Sequence, residues 1–230
     1  MLTKYRAVIF DFDGTLYDNS TIIRDLILAL PVDVLKMNAE RKVRREMKGI
    51  FFGSQEAYIE QKFSKMSKTG HFKNKEAAEK WYYEIFLAKM IFLLKKKYHA
   101  RNGVQELFAL LKKKNIKIAV FSDYPFVKER MEAINIDFSS VDFVHSSEEL
   151  GGLKPAKESF MKIAQEFCLE NETQKILVVG DRNDTDGQGA RNAKMDFVQI
   201  KNKNENEVFS HPVLRWDEFL NLALSWKFLR

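Results

Sequence analysis

The sequence predicts an α/β fold: a parallel sheet with helices on both faces and a helical insertion after the first strand. Three observations predict it. Five short apolar runs are spread along the chain, and three of them end in polar residues. Helical patterns fill the intervals between the later runs, and roughly a hundred residues of mostly helix-like sequence separate the first run from the second. Alternation of strand and helix argues for parallel pairing with crossover helices. Sheets of this kind bind ligands beyond the carboxyl ends of their strands.

The first strand is expected over residues 5–11, because Ala7-Val8-Ile9-Phe10 is a continuous apolar run of central-strand type. The next interval is too long for one crossover helix. It reads as helices over 22–30, 41–47, 55–66 and 76–96, all without strand alternation. In the last of these, Trp81, Ile85, Ala88 and Phe92 share one face of a regular helix, joined by Phe86, Met90 and Leu93. That stripe is expected to pack as core. Strands then follow over 116–122, 141–145, 175–180 and 197–200, with helices over 104–113, 126–134, 158–167 and 187–193. The tail reads as a polar loop over 201–207 and an amphipathic helix from about Val213, with Trp216, Leu220, Ala223 and Phe228 placed to pack on the sheet.

At 230 residues, 45% hydrophobic and 30% charged, the chain has the composition of an ordinary globular protein with a sizeable core. Cys168 is its only cysteine, so no intrachain disulfide forms, as in a reducing compartment. Its neighbours Phe167 and Leu169 imply a packed thiol. The N-terminal apolar run is short, lacks a small-residue cleavage site and runs into Asp11, so no targeting peptide is expected. The longest apolar stretch, 85–94, is broken by Lys89 and is about half a membrane span. The expectation is a cytoplasmic protein with no membrane partner. The net charge of +6 includes basic clusters at Arg41, Lys42, Arg44 and Arg45, at 95–97 and at 112–114. With no nucleic-acid-binding motif beside them, they are expected to be solvated helix faces, and no nucleic-acid partner is expected.

Four runs carry chemistry. The first strand ends in Asp11-Phe12-Asp13-Gly14-Thr15-Leu16. If strand geometry persists, Asp11 and Asp13 project to the same side, and carboxylates that close repel unless a cation or proton is shared. The second strand ends in Ser122-Asp123, where a hydroxyl and turn amides can meet a phosphate oxygen. The third run, Gly151-Gly152-Leu153-Lys154-Pro155, sets a lysine before a helix whose first turn would contain Pro155. Lys157 is the competing lysine, but its place inside the helix favours a solvated side chain. The fourth run is an apolar strand ending in Gly180-Asp181-Arg182-Asn183-Asp184-Thr185-Asp186-Gly187. A calcium loop is excluded there, since aligning Gly187 at the sixth position puts Arg182 at the first and Ala193 at the twelfth. No nucleophile elbow is present, and the four histidines sit in no catalytic motif.

These four runs, in this order, resemble the motifs of the haloacid dehalogenase-like (HAD) hydrolases, most of which are magnesium-dependent phosphatases. The resemblance implies a Rossmann-like α/β core over 1–17 and 99–230 and a helical cap over 18–98. It implies that Asp11 is the nucleophile and that Asp13 is the general acid and base. Lys154 and Ser122 would bind the phosphoryl group. Asp123 stands where many relatives have asparagine, so its part in substrate binding is less defined. Magnesium would be held by Asp11, the Asp13 carbonyl and Asp181, with Asp186 as a ligand or a neighbour of one; Asp184 falls off the family spacing. The implied substrate is a small phosphorylated metabolite. Haloacid dehalogenases share the aspartate nucleophile, but they lack the second aspartate and need no metal. A sugar-phosphate mutase, or a non-enzymatic regulator that binds a phospholigand, remains an alternative on the same scaffold.

Overall fold

The computed structural model describes residues 4–201 and 210–225. Six strands form one parallel sheet: β1 (Ala7–Asp11), β2 (Lys117–Ser122), β3 (Phe143–Ser146), β4 (Ile176–Gly180), β5 (Asp196–Ile200) and a two-residue β6 (Val213–Leu214). Their spatial order is β3-β2-β1-β4-β5-β6, so the sheet grows first to one side of β1 and then to the other. The switch point lies between β1 and β4, and the crevice beyond it is where a sheet of this kind takes its ligand. Phe10 of β1 is opposite Val120 on one side and Val179 on the other. Every residue of β1 and β4 is buried, which is why both read as continuous apolar runs rather than alternating ones.

Between β1 and β2 the chain forms α1 (Ile22–Ala29), α2 (Val34–Met47), α3 (Gln55–Ser67), α4 (Lys75–Lys80) and α5 (Ala88–Lys97). The rest of the sheet is connected and covered by α6 (Val104–Lys113), α7 (Val127–Ala133), α8 (Ser147–Leu150), α9 (Lys157–Glu166), α10 (Gln188–Asn192) and α11 (Trp216–Leu224). Helix α2 starts seven residues before the expected 41. Its buried face carries Glu40 between Met37 and Val43, and that charge interrupts the apolar pattern.

A π-helical segment, Trp81–Leu87, joins α4 to α5 in one continuous helix. It alters the expected stripe. The wider turn rephases the helix, so the buried face is Trp81, Tyr82, Phe86, Leu87, Met90, Leu93 and Leu94. Ile85 and Phe92, expected inside, are 42% and 54% exposed, and Ala88 is exposed too. Trp81 and Tyr82 each stack on Phe86, at centroid distances of 5.5 and 5.7 Å.

The sheet has two apolar faces. Ala7, Ile9, Phe121 and Val178 pack with α9 and α10, and Val8, Phe10, Val120 and Val179 pack with α6 and α11. The second cluster continues without a break through Tyr17 and Ile22 into the inserted helices. The insertion also returns to the sheet by backbone bonds: Phe52 N–H donates to Gly151 O at 2.7 Å and Leu153 N–H to Ile50 O at 3.2 Å. In the tail, Val213 and Leu214 add a short edge strand instead of starting the helix, and Trp216, Phe219 and Ala223 are buried in α11. Phe228 and most of the expected polar loop lie outside the described residues. Cys168 is exposed rather than packed. It takes a left-handed conformation (φ 57°) after α9, which turns Leu169 inward in its place. Among the described residues no helix is long and apolar enough to cross a membrane.

Candidate active site

Three adjacent central strands deliver the acidic and polar groups. Asp11 ends β1, Ser122 ends β2 and Asp181 follows β4, so parallel pairing alone brings them to one edge of the sheet. Gly14 follows at φ 93°, with its backbone against Asp181; a Cβ there would lie 2.3 Å from Asp181 Oδ2. Gly180 allows a second close approach, since a Cβ on it would lie 2.5 Å from the Asp186 side chain. A π-helical turn, Asn183–Gly187, then folds Asp186 back towards Asp11.

Lys154 ties these carboxylates together. It is 2% exposed, and its ammonium donates to Asp11 Oδ1 at 2.6 Å, Asp186 Oδ1 at 2.8 Å and the Phe121 carbonyl at 2.8 Å. All three ammonium hydrogens are thus engaged. Burial lowers the Lys154 pKa, but Asp11 and Asp186 outweigh it and hold the value above the ordinary lysine range. The peptide before Pro155 is cis, and α9 begins two residues after the proline rather than with it. Lys157, the competing lysine, is exposed at the start of α9.

The two aspartates of the first motif have opposite environments. Burial pushes the Asp11 carboxyl well above its usual range; Lys154 opposes this, while Asp186, Asp181 and Asp13 add to it. Thr15 Oγ1 donates to Asp11 Oδ2 at 2.9 Å. Burial acts on Asp13 in the same direction, but Arg130, with hydrogen bonds from Tyr17 and Ser122, reverses it and holds the carboxyl below the usual range. The Tyr17 hydroxyl donates to Asp13 Oδ1 at 2.6 Å, Ser122 Oγ donates to Asp13 Oδ2 at 2.7 Å, and Arg130 forms an ion pair with Asp13. Arg130 is fully buried and also donates to Ser122 Oγ at 2.9 Å. Ser122 has one hydroxyl proton, and here it goes to Asp13. Asp123 accepts from Ser147 Oγ at 2.9 Å and lines the site cavity.

Asp11, Asp181 and Asp186 each place a carboxylate oxygen within 4.8 Å of the other two. Burial, followed by the nearby Asp186, pushes the Asp181 pKa up to about 8. With Asp13 balanced by Arg130 and one further carboxyl by Lys154, two carboxyls are left without a counter-ion. Oxygen-only donors with that surplus suit a hard divalent cation. The Asp13 side chain is not in this cluster. Asp184 also lies apart, half-exposed, in ion pairs with Lys48 and Arg182.

The basic run at the end of α2 is largely exposed, as expected, at Arg41, Lys42 and Arg45, while Arg44 is half-buried. Helical spacing sets Arg41 and Arg44 at the border of the cavity that holds Asp11, Asp13 and Asp181, while Lys42 faces solvent. The other two clusters are exposed last turns of α5 and α6, as expected.

The sequence model of the haloacid dehalogenase-like hydrolases matches residues 5–194. The chain belongs to that family. Among curated proteins, none matches this HAD chain. Solved structures share its fold along almost the whole length. A 2-haloacid dehalogenase from Pseudomonas syringae pv. Tomato DC3000 superposes with a TM-score of 0.65 at 17% identity, covering 96% of this chain and 98% of the other. A HAD-hydrolase from Bacillus subtilis, bound to magnesium, gives 0.62 at 16% identity and coverage of 96% and 99%. A protein assigned as a phosphoglycolate phosphatase, from Lactobacillus delbrueckii subsp. bulgaricus, gives 0.59 at 20% identity and coverage of 96% and 98%.

Sequence reasoning missed several residues of this HAD site. Thr15 and Tyr17 each stand four residues after an aspartate of the first motif, a spacing that was visible but carried no stated role. Arg130 had no signal, being one charged residue in an ordinary amphipathic helix. Arg101 secures the loop after β1 from the returning chain, donating to the Thr15 carbonyl at 2.9 Å and the Gly14 carbonyl at 3.0 Å.

Proposed function

We propose that the chain is a magnesium-dependent phosphatase that hydrolyses small phosphomonoesters through an aspartyl-phosphate on Asp11. The observation that carries the reading is the division of labour between Asp11 and Asp13. One carboxylate lies against Lys154 beside a carboxylate cluster, and the other is held apart from it by Arg130, Tyr17 and Ser122. A single carboxylate would serve for nucleophilic attack alone; the second has a use where a leaving group must be protonated and a water then activated.

Asp11, Asp181 and Asp186 would hold magnesium together with the Asp13 carbonyl. The ion supplies charge neutralisation between an anionic substrate and an anionic nucleophile. Asp11 attacks phosphorus and becomes the acyl phosphate. Lys154 orients the Asp11 carboxylate and offsets charge on the transferring oxygens. Asp13 is ionised at rest beside Arg130, so the proton it gives to the departing oxygen is one it takes from the substrate's own phosphate. It then recovers a proton from the water that cleaves the intermediate. Asp123 lines the pocket, and Ser122, fully buried beside Asp13, would donate to the phosphoryl group only once Asp13 turns from it. Helices α1–α5 act as the cap, which excludes water and contacts the substrate. The magnesium bound to the Bacillus subtilis relative and the phosphatase assignment of the Lactobacillus relative support this reading.

The test is phosphate release from a panel of phosphomonoesters with magnesium and with chelator. Release should require the metal. Asp11→Asn should abolish it, and Asp13→Asn should slow it by about 10²–10⁴-fold. Undiminished turnover after metal removal, or near-normal rates in either variant, would refute the assignment. Halide release from haloacids would move the protein to the dehalogenase branch.

A further inference from the structure

Resting on the phosphatase reading, we propose that the leaving group of the substrate carries a second anionic group, a phosphate or a carboxylate, bound by Arg41 and Arg45 of α2. The motivating feature is a cavity of about 450 Å³ between α2 and the sheet edge, lined by Asn38, Arg41, Arg45, Lys48, Lys154 and Arg182 among others. It adjoins the cavity of about 340 Å³ that holds Asp11, Asp13 and Asp181; Arg41, Arg44, Asp123, Arg182 and Thr185 line both. The two are neighbours through these shared residues, and each is of the size that small ligands occupy.

Charge is distributed unevenly across the two cavities. At the catalytic end, Lys154 is matched by Asp11 and Asp186. In the second cavity Lys48 and Arg182 both pair with Asp184, and Arg44 lies 3.4 Å from Glu40 with its guanidinium over the Tyr124 ring. Arg41 and Arg45 are different. Their side chains have no acidic partner among the described residues, although both line the cavity.

Their placement follows from helix geometry. Asn38, Arg41, Arg45 and Lys48 recur at intervals of three, four and three, so they form one stripe along α2. Met37, Val43 and Met47 point the other way into the apolar core. Arg41 and Arg45 are exposed at the border of this cavity without counter-ions, and a guanidinium there can meet an entering carboxylate or phosphate with paired N–H donors. The transferring phosphoryl group already has Lys154 and the metal cluster. The arginines therefore serve the remainder of the molecule.

The test uses linear alkyl monophosphates of graded length whose far end is a methyl, a carboxylate or a second phosphate. Binding is measured by calorimetry with magnesium on the Asp11→Asn protein, so that no turnover intervenes. At the best length, an anionic end should tighten binding by about 10- to 100-fold over the methyl-ended compound, the worth of hydrogen bonds to a charged group. Comparing the two anionic series identifies which group the site prefers. Adding Arg41→Gln or Arg45→Gln should shrink that advantage to a few-fold, and Arg45→Lys should keep part of it. Equal affinity for charged and methyl ends at every length, including no measurable binding of either, overturns the proposal, as does an advantage retained in both glutamine variants. Phosphate release by the wild-type protein, assayed separately on the same compounds, tests the phosphatase reading independently of this outcome.

Discussion

Replacing Lys154 with methionine removes the cation that lies between Asp11 and Asp186. Its ammonium is 2.6 Å from one carboxylate and 2.8 Å from the other, and both residues are buried. Removing one partner of a buried ion pair costs about 3–5 kcal/mol, because the remaining charge has lost both its water and its counter-ion. Two carboxylates are orphaned here and a third, Asp181, is nearby. Urea unfolding near neutral pH, without metal, should therefore show a loss in the upper part of that range. Magnesium at about 100 times its Kd adds about 2.7 kcal/mol to any protein that binds it only when folded. It should bind the variant more tightly than the wild type, since the carboxylate cluster no longer shares its charge with an ammonium. The same metal concentration should then recover more stability in the variant. Phosphate release should still fall by about 10²–10³-fold, because the cation that orients the Asp11 carboxylate and offsets charge on the transferring oxygens has gone. A loss below about 1 kcal/mol without metal, or equal stabilisation of both proteins by magnesium, would refute the role of Lys154 as counter-ion.

Arg130→Met should destabilise the protein by about 3–5 kcal/mol near neutral pH, since it strands Asp13. The native Asp13 pKa lies below its unfolded value, so its stabilisation is present above about pH 4 and is lost as the pH falls through the native value; urea midpoints of wild type and variant should converge in acid, and a constant gap would refute the pairing. Asp181 has the opposite sign: burial raises its pKa to about 8, so in the metal-free protein its ionisation costs stability as the pH climbs from the ordinary carboxylate range towards 8. Magnesium must displace that proton, so its affinity, measured by calorimetry, should rise between about pH 6 and 8 and then level off; a flat affinity over that range would refute it.

What could be read from the sequence was whatever depends on neighbours in the chain. The continuous apolar runs of β1, β2 and β4 located the central strands, and the residues at their ends located Asp11, Asp13, Ser122 and Asp181. Lys154 was legible from the proline beside it, although its contact with Asp186, 32 residues away, was not. Arg130 could not be found, because its partner Asp13 is 117 residues distant and its own segment has no unusual composition. The phase of the 81–97 helix was misjudged for a local reason. A π-helical turn leaves no mark in a pattern analysed at a fixed period, so Ile85 and Phe92 were placed inside. The basic residues of α2 were read as solvated, and Arg41, Lys42 and Arg45 are exposed. That Arg41 and Arg45 also border a cavity was not legible, because its other wall comes from distant parts of the chain.

The central position of β1 has a consequence during synthesis. Its first partner, β2, begins at Lys117, about 110 residues later, and its second, β4, at Ile176. At about 5–20 residues per second, β1 spends roughly 5–20 s outside the ribosome before either edge can be paired. The helices between them have close neighbours in the chain and can assemble in the meantime. An apolar strand left waiting that long is a hazard for aggregation, and charges at its flanks are the usual remedy. Lys4 and Arg6 stand on one side of Ala7-Val8-Ile9-Phe10, and Asp11 and Asp13 on the other. The two aspartates thus act as gatekeepers for the nascent chain before the site they belong to exists.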